Sequence, residues 1–197
     1  MKYFLGIMSL VILLSTTLCA ESLRSVQFFQ RVVSDKEGVL FEGKTWLKDG
    51  QVCVEFESGS DLYTSVIKNG KVYNFSTVSS AGTVAPIKRN PQFQFGPEVL
   101  QSKIHLKAYL TSVNAKVTGE ETYQGQRCFV YKYDYSDGES QVLNTLWVWK
   151  KAFFPLKTEM RINSNDIVTI YYDAVRINDD IADRRFDLPK NIRFYSE

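Results

Sequence analysis

The residues able to do chemistry are few in this 197-residue chain, and their spacing argues against catalysis. It has a single histidine, His105. Acid–base and metal chemistry usually draw on histidine with cysteine or carboxylate partners at set spacings. Nothing of that kind stands near His105, which reads as an ordinary helical histidine. There is no Gly-x-Ser-x-Gly elbow, Ser-x-x-Lys pair, phosphate loop or dinucleotide fingerprint. Asp179, Asp180, Asp183 and Asp187 raise the question of calcium. However, an EF-hand loop needs a ladder of ligands with a central glycine and a closing glutamate. Asn178-Asp179-Asp180-Ile181-Ala182-Asp183 has neither, and Arg184 and Arg185 follow to balance the charge. The sequence predicts a non-enzyme with no catalytic residue, metal or cofactor.

The three cysteines, Cys19, Cys53 and Cys128, form no Cys-x-x-Cys pair, so thioredoxin-type redox work is not indicated. Cys19 lies in a leader. Lys2 is followed by an apolar run from Tyr3 to Leu14 and then Ser15-Thr16-Thr17-Leu18-Cys19-Ala20. That is the three-part order of a secretory signal peptide, too short to span a bilayer. Residues 1–20 are expected to be removed after Ala20. Lipidation at Cys19 is the alternative, and the bulk of Leu18 argues against it. The remaining pair, Cys53 and Cys128, would sit in an oxidising compartment, either as one disulfide or as two buried thiols.

Residues 21–197 suffice for a single domain with a sizeable core. No second apolar run reaches spanning length, so no transmembrane anchor is expected in the mature chain. With a net charge of +2 and scattered Lys and Arg, no nucleic-acid surface is expected either.

The elements follow from periodicity. Between Ser22 and Val33, apolar residues at Leu23, Val26, Phe29 and Val33 predict an amphipathic helix. Beyond it the period becomes two. Asp49-Gly50 and Asn69-Gly70 mark type I′ hairpin turns. The first turn sets Leu47 opposite Val52, Thr45 opposite Val54 and Gly43 opposite Phe56, with Trp46–Cys53 and Lys44–Glu55 on the other side. The second sets Ile67 opposite Val72 and Val66 opposite Tyr73. Ser79 to Phe95 reads as a long loop. Gly96-Pro97 opens a second helix with its stripe at Leu100, Ile104 and Ala108. Strands then run to Ile177, through a turn at Gln124-Gly125 and another at 163–166. The expected fold class is α+β: a strongly curved antiparallel sheet wrapping two or more helices.

Aromatic residues make up 14% of the chain and concentrate in the strands. They serve either ordinary packing or an apolar cavity between sheet and helices, since ligand sites are mostly apolar with few polar anchors. The candidate lining residues are Trp46, Tyr73, Phe75, Trp147 and Trp149.

The segment Leu146-Trp147-Val148-Trp149-Lys150-Lys151-Ala152-Phe153-Phe154-Pro155-Leu156-Lys157-Thr158-Glu159 resembles a strand, basic turn and Pro-Leu-Lys-x-Glu run of the periplasmic outer-membrane lipoprotein-carrier family. Gly119 to Cys128, Val175-Arg176-Ile177-Asn178 and Phe186-Asp187-Leu188-Pro189 extend the resemblance along nearly the whole mature chain. The resemblance makes the expected sheet unclosed and half-barrel-like, and implies helices over an apolar cavity, a periplasmic location, and acyl chains of lipoproteins or other lipids as cargo. Classical carriers have an Arg-Pro element after the first hairpin turn. Gln51-Val52-Cys53-Val54-Glu55-Phe56 lacks it, so no lid-locking arginine is transferred. The alternative is an envelope sensor or scaffold of the same fold, with other envelope proteins as partners.

Overall fold

The computed structural model describes residues 23–86, 103–136, 140–163 and 166–196. The signal segment 1–20, the start of the second expected helix and the side chain of His105 lie outside the described residues. The strands are β1 (Ser25–Ser34), β2 (Gly38–Lys48), β3 (Gln51–Ser58), β4 (Asp61–Lys68), β5 (Lys71–Ser76) and β6 (Ala81–Pro86). After helix α1 (Lys103–Ser112) come β7 (Lys116–Tyr123), β8 (Gln126–Ser136), β9 (Gln141–Trp149), β10 (Phe154–Ile162) and β11 (Asp166–Ile177). A 3-10 turn (Asp183–Phe186) and β12 (Arg193–Ser196) close the chain.

All twelve strands join one sheet in the order β12-β6-β5-β4-β3-β2-β1-β11-β10-β9-β8-β7. Neighbours are antiparallel, except that β12 runs parallel to β6. The outermost strands β12 and β7 do not pair with each other, so the sheet is unclosed.

Turn chemistry sets the register. Asp49 and Gly50 have φ of 47° and 78°, Asn69 and Gly70 have 52° and 73°, and Gln124 and Gly125 have 48° and 73°. Positive φ at both central positions matches the right-handed twist of the flanking strands. The pairs Leu47–Val52, Thr45–Val54, Trp46–Cys53 and Lys44–Glu55 follow the turn-based expectation. So do Ile67–Val72 and Val66–Tyr73.

The α+β expectation is overturned. Among the described residues there is one α-helix, of 10 residues, and nearly everything else is strand. The segment expected to form the first helix is β1. Spacings of three and four in Ser22–Val33 also fit a strand, with Val26 and Phe28 buried on one side and Phe29 38% exposed on the other. The many β-branched and aromatic residues there favour a pleated surface, and hydrogen bonding to both β2 and β11 decides the outcome. The segment expected to be a loop from Ser79 likewise contains β6, paired to β5. Within α1 the buried stripe is Leu106 and Leu110, 1% and 4% exposed, while Ala108 faces outward. The helix ends where Asn114 turns left-handed (φ 52°) and the Ala115 amide donates to the Leu110 carbonyl at 2.8 Å, an αL stop.

Candidate functional site

The inner face of the sheet is the one that bears α1. Leu106 and Leu110 pack there on Tyr133, Leu146, Val148 and Phe153. Tyr109 and Tyr133 share a hydroxyl–hydroxyl hydrogen bond of 2.7 Å. Burial pushes the Tyr109 phenol up to about 12 and raises that of Tyr133 as well. Across β1, β10 and β11 the same face holds Phe28, Phe154 and Tyr172, whose ring centroids lie 5.4, 5.4 and 5.9 Å apart. Val26, Leu47, Val52 and Ile170 complete this cluster, and Val54 and Ile67 pack at its margin.

On β2–β5 the inner face remains apolar but less covered. Phe41, Val54, Phe56, Ile67 and Val72 are half-buried, and Tyr63 is 36% exposed. Phe41, Phe56 and Tyr63 form a row of rings with centroid spacings of 5.5 and 5.6 Å, the last two stacked. Gly43 makes room for the row: a Cβ there would come within 2.7 Å of Phe41 Cζ and 2.9 Å of the Glu55 carbonyl oxygen. On the opposite, outer side of these strands, where Phe29, Glu42, Lys44, Glu55, Glu57 and Leu62 point by the strand register, lies a recess of about 640 Å³ that also reaches Leu40, Phe41 and Phe56. That volume lies within the usual range of ligand sites. Val39 and Leu40 beside it are 57% and 48% exposed. Leu40 is the extra residue of a bulge, since Val32 pairs with Phe41 while Val33 pairs with Val39. A bulge re-aims a side chain in this way.

The outer face of the same strands is occupied by the chain's own C-terminal strap. Ile181 and Phe186 bury Trp46, Cys53 and Val66, with Tyr73, Phe75 and Leu188 packed around them. The Arg185 guanidinium lies 4.2 Å from the Trp46 ring centroid and donates to Glu55 at 2.5 Å. Lys48 donates to the Ile181 carbonyl at 2.8 Å and to Asp183 at 2.7 Å, and Lys68 donates to the Phe186 carbonyl at 2.9 Å. Phe194 of β12 sits edge-on to Tyr73 and Phe75, 5.4 and 5.9 Å away. Its ring lies over Gly82, where a Cβ would meet it at 2.8 Å.

The structure therefore separates the five aromatic residues singled out from sequence. Trp46, Tyr73 and Phe75 lie under the strap. Trp149 packs against the inner core. Trp147 stands in a polar recess of about 460 Å³, donating to Glu121 at 2.6 Å beneath the Lys157 ammonium, 4.2 Å from its ring. The row Phe41–Phe56–Tyr63 escaped the sequence reading as a site. Its signal was the apolar side of the first hairpin, where Gly43 stands opposite Phe56.

Cys53 and Cys128 are separate buried thiols. Six inter-strand steps lie between β3 and β8, each about 4.8 Å along the sheet, whereas a disulfide needs Cα atoms within about 7 Å. Burial, helped by the Glu55 charge, pushes the Cys53 thiol up to about 12, and burial raises Cys128 too. The expected acidic turn is part of the strap, with Asp179 accepting from Gln27 at 2.7 Å and Asp183 from Lys48. Among the described residues no group of three His, Cys, Asp or Glu side chains could hold a metal, and no helix is long and apolar enough to cross a membrane.

No family model matches the chain. An uncharacterized protein of Methanocaldococcus jannaschii is 29% identical over 122 residues; the match covers 61% of this chain and only 34%, about a third, of that protein. The fold is that of an uncharacterized conserved protein from Thermus thermophilus, with a TM-score of 0.61, 12% identity, and coverage of 88% and 91% of the two chains. Solved structures similar to the chain also include a Vibrio parahaemolyticus domain described as outer-membrane lipoprotein-sorting, with a TM-score of 0.39, 12% identity, and coverage of 83% and 89%.

Proposed function

We propose that the protein is a non-catalytic, exported carrier, working in the periplasm after removal of residues 1–20, that holds acyl chains of lipoproteins or other lipids. The observation in support is the inner face of β2–β5, where Phe41, Val54, Phe56, Tyr63, Ile67 and Val72 present apolar surface, interrupted by the Ser65–Asn74 pair, that is less covered than the adjoining core. Soluble proteins seldom leave such surface open without a use for it. The reading puts cargo on this face, because the chain itself fills the outer side of Trp46, Tyr73 and Phe75. Native mass spectrometry of the mature chain, purified from envelopes without detergent and followed by solvent extraction, tests it. A reproducible bound mass of lipid or acylated peptide is expected. A clean apo mass that persists after incubation with lipids and lipopeptides would refute it.

A second reading, an envelope scaffold that binds another protein, draws support from the exposed Val39 and Leu40 at the end of the β1–β2 hairpin. Stoichiometric capture of one protein partner, with no extractable lipid, would favour it over the carrier.

A further inference from the structure

The inner face of β3–β6 is built in rows that cross the strands, and one row differs from its neighbours. By the strand register Val52, Ile67, Val72 and Ala85 stand in line, and Phe56 stands beside Tyr63 further along the strands. Between these apolar rows lies a polar stripe, Ser65 of β4, Asn74 of β5 and Thr83 of β6. Ser65 Oγ donates to Asn74 Oδ1 at 2.7 Å. That bond occupies the amide oxygen and leaves the Nδ2 hydrogens as donors. They have no partner among the described residues. Asn74 is exposed, and Ser65 and Thr83 are half-buried. Asp61 at the β3–β4 turn and Arg193 on the edge strand β12 carry charge on this side but stand in other rows, beside Ser58 and Ala81.

We infer that the cargo is an ester- or amide-linked acyl group, and that Asn74 reads the carbonyl of its linkage. The inference rests on the carrier reading and names the linkage that the same face takes. Hydrocarbon laid over Phe56, Tyr63, Ile67 and Val72 also takes water away from the stripe between them. A donor that loses water without gaining an acceptor costs more than the bond it could have made. A plain alkyl chain leaves Asn74 Nδ2 in that state, and an ether offers it only a weak acceptor. A carbonyl oxygen at the stripe accepts from Asn74 Nδ2, with the Thr83 hydroxyl beside it for the other polar atom of the linkage. Sites built around a hydrogen bond reject the analogue that lacks it. Asn74 starts exposed, so the low end of the penalty applies, and the carbonyl is preferred about tenfold.

The test is calorimetric binding to the mature full-length chain, below micelle concentrations, of monododecanoylglycerol and its ether analogue dodecylglycerol, which lacks only the carbonyl. The ester should bind about tenfold more tightly than the ether. In Asn74→Val the two affinities should become equal, while the ether binds as before or more tightly, which also shows that the face has kept its shape. Asn74→Asp keeps the size of the side chain but removes the donors, and it should abolish the preference as well. Asn74 is exposed, so both variants retain the fold. An uncharged N-dodecanoyl-Gly-Ser amide separates the two sources of such a linkage: tighter binding than the glyceride assigns the cargo to acylated peptides, and weaker binding assigns it to acylglycerols. Equal affinity of ester and ether for the unaltered chain, or a preference that survives both variants, would overturn the inference and leave the carrier reading standing. Failure of all three probes to bind would overturn the carrier reading itself.

Discussion

Replacing Phe186 by Ala should open the C-terminal strap, and Cys53 reports the opening. Phe186 is 1% exposed and lies with Ile181 over Trp46, Cys53 and Val66. Truncating a buried Phe costs about 3–5 kcal/mol in a closed core. A strap can relax, so the lower end applies, and about 3 kcal/mol raises the open population roughly 150-fold. In the closed state burial holds the Cys53 thiol near 12 instead of 9.0. The thiolate is the nucleophile, so this alone protects the thiol about a thousandfold at pH 8. Opening removes that protection, and alkylation then tracks the fraction of time the strap is away. Iodoacetamide labelling at pH 8, mapped by peptide mass, should therefore accelerate at Cys53 on the order of a hundredfold in Phe186→Ala. Cys128 is 0% exposed, lies outside the cluster under the strap and acts as the control. Unchanged labelling of Cys53 would refute the assignment of the strap as its cover. Parallel acceleration at Cys128 would show global unfolding instead.

Three further outcomes are expected. Tyr109→Phe and Tyr133→Phe should each destabilise by about 1 kcal/mol and show a coupling of similar size in a double-mutant cycle by urea unfolding; because burial raises the folded phenol from 10.0 to about 12, this contribution is fully present below pH 10 and lost as pH rises toward 12. Asp35 has its carboxyl held below 3.8, chiefly by the Ile167 amide that donates to it at 3.0 Å; its stabilisation is present above about pH 4 and lost as pH falls further, so the Asp35→Ala variant should show a shallower acid-side loss in denaturant midpoints. Gly82→Ala places a Cβ 2.7 Å from the Asn74 carbonyl oxygen and 2.8 Å from the Phe194 ring; it should cost about 1–3 kcal/mol and speed amide exchange in residues 193–196, while β8 and β9 stay protected.

The hairpins were legible because each depended on local chemistry. Asp49-Gly50 and Asn69-Gly70 fix both turn type and register, and the pairs that follow from them are the observed ones. β1 was misread because Leu23, Val26, Phe29 and Val33 satisfy a helical spacing equally well. Its strand state comes from pairing with β11, far away in the chain, which no local pattern reveals. The parallel return of β12 onto β6 is non-local in the same way. The site suffered for this reason. Trp46, Tyr73 and Phe75 look like cavity walls until the distant Ile181, Phe186 and Phe194 are laid over them. Phe41 and Phe56, by contrast, could have been ranked higher, because the first hairpin already put Phe56 opposite a glycine on its apolar side.

The central claim is that hydrophobic cargo lies on the inner face of β2–β5. Photolabelling of the mature chain with a diazirine-bearing acyl chain, followed by peptide mapping, tests it most directly. The account predicts adducts concentrated on Phe41, Val54, Phe56, Tyr63, Ile67 and Val72, competed away by unlabelled cargo. Adducts centred on Trp147 and its charged neighbours, or labelling that cargo does not compete, would contradict it.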